Sequence, residues 1–194
     1  VAAQYATGEM GPPAGRTRNF GLLAVGYSTS SIGGPLITGF MIDHVGFRAA
    51  FGLLSLLPLV PIAVLGINRV PFPGPHPAHA ANAGRRTLDL IANGDLRLVF
   101  LINGVIAIAW ELHTLFVPIY GNSIGLSASK IGLILAAFAA ATFTVRLSMP
   151  LISRHVPEHR VLTLALYLAG LAYLAIPFSR SASMLMLLSF CLGL

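Results

Sequence analysis

The chain has 194 residues, 56% of them hydrophobic and only 9% charged, with a mean hydropathy of +0.81. Soluble domains carry about 25% charged residues, so a chain this poor in charge cannot cover a water-facing surface and reads as integral to a membrane. The net charge of +6 would suggest nucleic acid in a soluble domain; here the arginines fall between apolar runs, which excludes that partner and points to the cytoplasmic connections of a multi-pass protein.

A helix needs about 20 residues to cross the hydrocarbon. Val1–Thr7 reads as the tail of an earlier span. Phe20–Met41 is the first complete span, in a run with no Lys, Arg, Asp or Glu from Asn19 to Ile42. Ala50–Ile67 follows. Residues 68–97 contain VPFPGPHPAHAANAGRR, which reads as a flexible linker ending in a short helix. Further spans are Leu98–Tyr120, Lys130–Ile152 and Val161–Phe178, and a sixth begins near Ser183. The fold class is therefore all-α, a polytopic membrane helix bundle of five complete transmembrane helices with truncated ends. The chain opens on Val1 and stops inside an apolar run at Leu194, so it reads as an internal fragment whose partners include the remaining helices of the same full-length protein. Cys191 reads as a small buried hydrophobe, with no second cysteine for a disulfide.

Alternating connections differ in basic charge. One side holds Arg16, Arg18, Arg69, Arg85, Arg86, Arg97, Arg154 and Arg160; the other holds Arg48, Lys130 and Arg180. The first side is expected to be cytoplasmic, and the linker 68–97 with it. The expected location is a plasma membrane, specifically a bacterial inner membrane, with the lipid bilayer as surroundings.

Helices associate in lipid through close backbone approach, which needs small residues. At i+4 spacing the first span offers Gly26, Ser30, Gly34 and Thr38. The fourth offers Gly132, Ala136, Ala140, Thr144 and Ser148. The first also carries Gly33, Gly34 and Pro35 at its middle, where Gly costs about 1 kcal/mol and Pro about 3 in an ordinary helix.

The stretch FGLLAVGYSTSSIGGPLITGFMIDHVGFRAAF resembles the fifth helix of the major facilitator superfamily and its turn into the sixth. That family's antiporter motif is matched by Gly21, Gly34, Pro35 and Gly39, with Ser30 and Thr38 standing where the motif has Gly. The resemblance implies helices five to nine and part of ten. Residues 1–67 would then end the N-terminal six-helix half, 68–97 form the central cytoplasmic loop, and 98–194 begin the C-terminal half, with helices five and eight packed together between the halves. The connection PLISRHVPEHR keeps Arg154 of a second family motif but has Pro150 for Gly and Ser153 for Asp.

Two ionisable residues fall inside spans, and each is a functional candidate. Glu111 lies near the middle of the third span. It is a candidate for proton coupling or solute binding, or else pairs with a neighbouring helix. Arg146 lies near the cytoplasmic end of the fourth. It anchors the helix end by snorkelling or contacts an anionic solute. His113 is about 200° around the helix from Glu111. The face near Glu111 (Gly104, Ala107, Thr114, Pro118) suits a cavity, and the face near His113 (Ile102, Ile106, Ala109, Val117, Tyr120) suits packing. Asn103, Trp110 and Thr114 complete the candidate solute contacts, with packing as the alternative for Trp110.

HVPEH at 155–159 matches a zinc-protease pattern, but Pro157 disrupts the helix that pattern needs. His76 and His79 alone do not make a metal site, and no phosphate-binding GxxxxGK[ST] loop occurs. The expected function is secondary active transport of a small drug-like or metabolic solute by alternating access, with no cofactor and a proton gradient as driving force. The resemblance favours efflux; uptake by proton symport is the alternative within the class. A polytopic membrane enzyme built on Glu111, His113, His155 and His159 is the alternative outside it, and would require those four side chains to cluster.

Overall fold

The computed structural model describes residues 4, 16–68, 94–152 and 157–194. Most of the linker, most of Val1–Thr7, and His76, His79, Arg154 and His155 lie outside the described residues. The elements are helices α1 (Arg16–Leu54), α2 (Leu59–Asn68), α3 (Gly94–Ser123), α4 (Ala128–Ile152) and α5 (Glu158–Ala175), a 3₁₀ turn at Ile176–Phe178, and α6 (Ala182–Gly193). Among the described residues, four segments are long and apolar enough to cross a membrane: Arg18–Ile67, Leu96–Ser123, Ala128–Ser148 and Arg160–Phe178.

At 39 residues, α1 is about 58 Å long at 1.5 Å per residue, nearly twice the hydrocarbon thickness. It is interrupted at Gly46, whose φ of 82° and ψ of 163° lie in a region that only glycine occupies readily. This break separates the two spans expected on either side of DHVGFR. Gly46→Ala is expected to cost about 1–3 kcal/mol, read as a lower Tm of the detergent-purified full-length protein.

The second expected span, Ala50–Ile67, is not continuous. Pro58 and Pro61 have no N–H to give to Leu54 and Leu57. The chain tightens instead to three-residue bonds, from Leu56 N to Leu53 O (3.1 Å), Leu57 N to Leu54 O (3.1 Å), Leu59 N to Leu56 O (3.0 Å) and Val60 N to Leu57 O (3.2 Å). It then resumes as α2.

The centre of the bundle is α4, which packs along α1 and α6 and touches α3, while α5 packs on α6. Buried residues of α4 include Ile134, Ala136, Phe138, Ala139 and Ala141. Ile134 joins Val117 of α3 and Leu185 of α6 in the apolar core. The α1–α4 pairing is the one the resemblance implied for helices five and eight.

Two glycines set the α1–α4 distance. A Cβ on Gly132 would strike the carbonyl oxygen of Pro35, and one on Gly39 would strike that of Ala128. The contact face of α1 is thus turned from the small-residue ridge read at i+4. Ser28 and Gly39 are buried and Pro35 and Thr38 half-buried, whereas Gly21, Gly26, Ser30 and Gly34 are exposed. On α4, Gly132 and Ala136 are buried, Ala140 and Ser148 half-buried, and Thr144 exposed. A third close approach seats Gly193 of α6 on the Phe138 carbonyl. Cys191, on the same helix, is half-buried.

The α3–α4 connection is fully specified by its residues. Gly125 takes φ 77°; Leu126 N bonds to Gly121 O (2.9 Å) and Gly125 N to Asn122 O (3.1 Å), the pair of bonds that closes a helix on a left-handed glycine. Ser127 then caps α4, its Oγ accepting from Lys130 N at 3.4 Å.

Candidate functional site

Between α1, α3 and α4 lies a cavity of about 480 Å³, within the roughly 300–1,000 Å³ typical of small-molecule sites. Its apolar wall comes from Phe20 and Leu23 of α1, Trp110 of α3 and Phe143 of α4; its polar wall comes from Tyr27, Ser28, Ser31, Thr142 and Arg146, with Gln4 preceding α1. Two of the hydroxyls are committed to their own helices. Ser31 Oγ donates to Tyr27 O at 2.8 Å and Thr142 Oγ1 to Phe138 O at 3.0 Å. With the proton used in this way, each oxygen presents lone pairs rather than a donor. Arg146, exposed at its end of α4, brings the charged donors among the lining residues.

Trp110 ties this cavity to the rest of the bundle. Its ring meets the edge of Phe138 at 4.7 Å and 69°. The other neighbour of Phe138 is His113, stacked at 4.2 Å and 23°. His113 is only 1% exposed, and its Nε2 lies 3.1 Å from Ser189 Oγ of α6. Its Nδ1 has no hydrogen-bond partner among the described residues. Nearby, Tyr173 donates its hydroxyl to Ala109 O, and the Tyr120 hydroxyl faces both Pro177 O (3.1 Å) and Ser179 O (3.0 Å).

Of the residues singled out in the sequence, Trp110 and Arg146 are brought together on one cavity. Glu111 is exposed and lies outside it, as does Asn103. Thr114 is exposed too, its hydroxyl bonded to Trp110 O at 3.0 Å. On the packing face read around His113, His113 and Val117 are buried and Ala109 and Tyr120 half-buried, whereas Ile102 and Ile106 are exposed. Glu111 and His113 therefore do not share a site, and the side chains of His155 and His159 lie outside those described. Among the described residues no group of three His, Cys, Asp or Glu could hold a metal.

Sequence reasoning missed Tyr27, Ser28, Ser31 and Thr142. The spacing of Tyr27 and Ser31, four apart, places them one above the other on a helix. That was the available signal, but it was masked by the neighbouring glycines that drew attention to packing.

Residues 1–194 match the Major Facilitator Superfamily. A curated relative, "MFS-type transporter pynF" of Aspergillus niger, is 30% identical over 158 residues, covering 77% of this chain and 35% of that protein. The chain thus spans about a third of the length of this relative. No solved structure matches it. The family match covers every helix described above, including the α1–α4 pair and its cavity, and the chain belongs to the major facilitator superfamily.

Proposed function

We propose that this chain is part of a secondary transporter in a plasma membrane that moves a small solute by alternating access. The observation that carries the reading is the cavity between α1, α3 and α4, placed between the segments assigned to the two halves of the fold, with an apolar wall and a polar wall facing each other. Trp110 and Phe143 would hold an apolar or aromatic body. Arg146 would hold an anionic or strongly accepting group, in a cavity also lined by the hydroxyls of Tyr27 and Ser28. Glu111, on the exposed side of α3, is the proposed proton-coupling carboxylate, facing helices supplied by the rest of the full-length protein. Direction is proposed as proton-driven efflux, on the motif match at Gly21, Gly34, Pro35 and Gly39.

The test is flux by the full-length protein in proteoliposomes loaded with a pH-sensitive dye and challenged with small organic anions, cations and neutral solutes under imposed pH gradients of either sign. Arg146→Gln is expected to raise KM for anionic solutes about tenfold, the size of a lost charge-assisted hydrogen bond, with membrane insertion unchanged. Glu111→Gln is expected to leave exchange intact while removing its dependence on the gradient. Wild-type kinetics in both variants would sink the residue assignments, and absence of flux for every solute class would sink transport itself.

A further inference from the structure

The first N–H groups of any helix lack partners within it. In α4, Ile131 N bonds to Ser127 O at 3.1 Å and Lys130 N to Ser127 Oγ at 3.4 Å. The two that remain, Ala128 N and Ser129 N, are taken by one side chain from far away in sequence. Asp43 Oδ1 accepts from Ala128 N at 3.0 Å and Asp43 Oδ2 from Ser129 N at 2.8 Å. A carboxylate bridging two N–H groups at the positive end of a helix is a charge-assisted contact with fixed geometry. Asp43 sits three residues before the break at Gly46, on the segment assigned to the N-terminal half, and α4 belongs to the segment assigned to the C-terminal half.

Two neighbouring features bear on what this contact does. One turn deeper, Gly39 and Gly132 bring the two backbones together, and Ser129 Oγ reaches Gly39 O at 3.4 Å. Further along the same helices the hydroxyls of Ser31, Thr142, Thr144 and Ser148 bond to carbonyls of their own helices. Asp43 is also exposed. When the helices part at this end, water can take over both the carboxylate and the two N–H groups, so the contact can be broken and remade without leaving a buried charge unpaired.

We propose that Asp43 is a reversible latch between the two halves, on the face opposite the arginine-rich connections, closed in this structure and released when that face opens. The meaning of the release rests on the transporter reading above; the contact and its strength do not.

The experiment uses the full-length protein in lipid nanodiscs with spin labels at Val45 and Lys130, which flank the contact, and reads the ratio of long-distance to short-distance populations by pulsed electron resonance. Asp43→Ala is expected to raise that ratio about fivefold, the effect of losing an exposed charge-assisted contact. Asp43→Asn has nearly the same shape but keeps one acceptor oxygen, and is expected to raise it about two- to threefold. Because the asparagine variant leaves the volume unchanged, it answers the question even where the alanine variant fails to insert. A wild-type distance distribution in the inserted Asp43→Asn protein, or in both variants, overturns the latch. Failure of transport in the flux assay, with the distance shift present, overturns the transport reading and leaves the latch standing.

Discussion

Gly132→Val is expected to separate α1 from α4 and to destabilise the protein by about 3 kcal/mol, the upper part of the range for forcing extra atoms into a packed contact. The added atoms meet the Pro35 carbonyl, which belongs to a helix backbone and cannot rotate aside as a side chain would. The change also strikes where association is most sensitive, because in lipid the helices are held by close approach rather than by expulsion from water. Gly34→Ala, by contrast, meets no atom of the described residues and is expected to lower Tm less than Gly132→Val. Thermal denaturation of the two variants of the full-length protein, side by side in one detergent, checks the pair. Equal losses of Tm would show that the contact face of α1 is not the one described.

The second large effect is expected at Phe138. Its ring is shared by Trp110 on one side and His113 on the other, so Phe138→Ala removes two aromatic contacts and opens a hole in the middle of the bundle. The cost is expected to be about 3 kcal/mol, the lower end for deleting a buried phenylalanine, since lipid offers no hydrophobic penalty to add. The variant should also weaken solute binding, because Trp110 would lose the neighbour that fixes its orientation against the cavity. A fall in Tm with a rise in KM fits this arrangement. A fall in Tm with KM unchanged would mean that Trp110 holds its position without Phe138. Phe138→Leu, which refills much of the volume without an aromatic ring, should recover Tm more than KM.

These two cases show what could be read before the structure and what could not. Span positions followed from hydropathy, because few arrangements of a chain satisfy its backbone in lipid. The break at Gly46 lay inside a turn already expected there. The discontinuity at Ser55–Pro58 was not anticipated, although Pro58 and Pro61 were in plain view, because membrane helices often absorb prolines with little disturbance. The α1–α4 pairing was legible from small residues together with the family resemblance, but its register was not. Residues at i+4 spacing drift by about 40° per step around a helix, and α1 offers small side chains at Gly26, Ser28, Ser30, Ser31, Gly33 and Gly34. Which of them meets the partner depends on where the partner lies, and local sequence does not contain that. At the site, Trp110 and Arg146 were identifiable as isolated chemistry in apolar runs. Their shared cavity was not, because it is made by helices separated in sequence. Glu111 lies one residue, about 100°, beyond Trp110, which is enough to put it on another face.

The placement of the Gly132–Pro35 contact has a mechanical consequence. Pro35 is eight residues from Asp43, about 12 Å along α1, while Gly132 is fourteen residues from Arg146, about 21 Å along α4. If the helices tilt about this contact as rigid rods, the arms of the lever differ by a factor of about 1.8. A displacement of about 1 Å at the carboxylate then corresponds to about 1.8 Å at the base of the guanidinium side chain. Breaking the two hydrogen bonds of Asp43 is a small stroke, and the off-centre fulcrum would enlarge it at the cavity end.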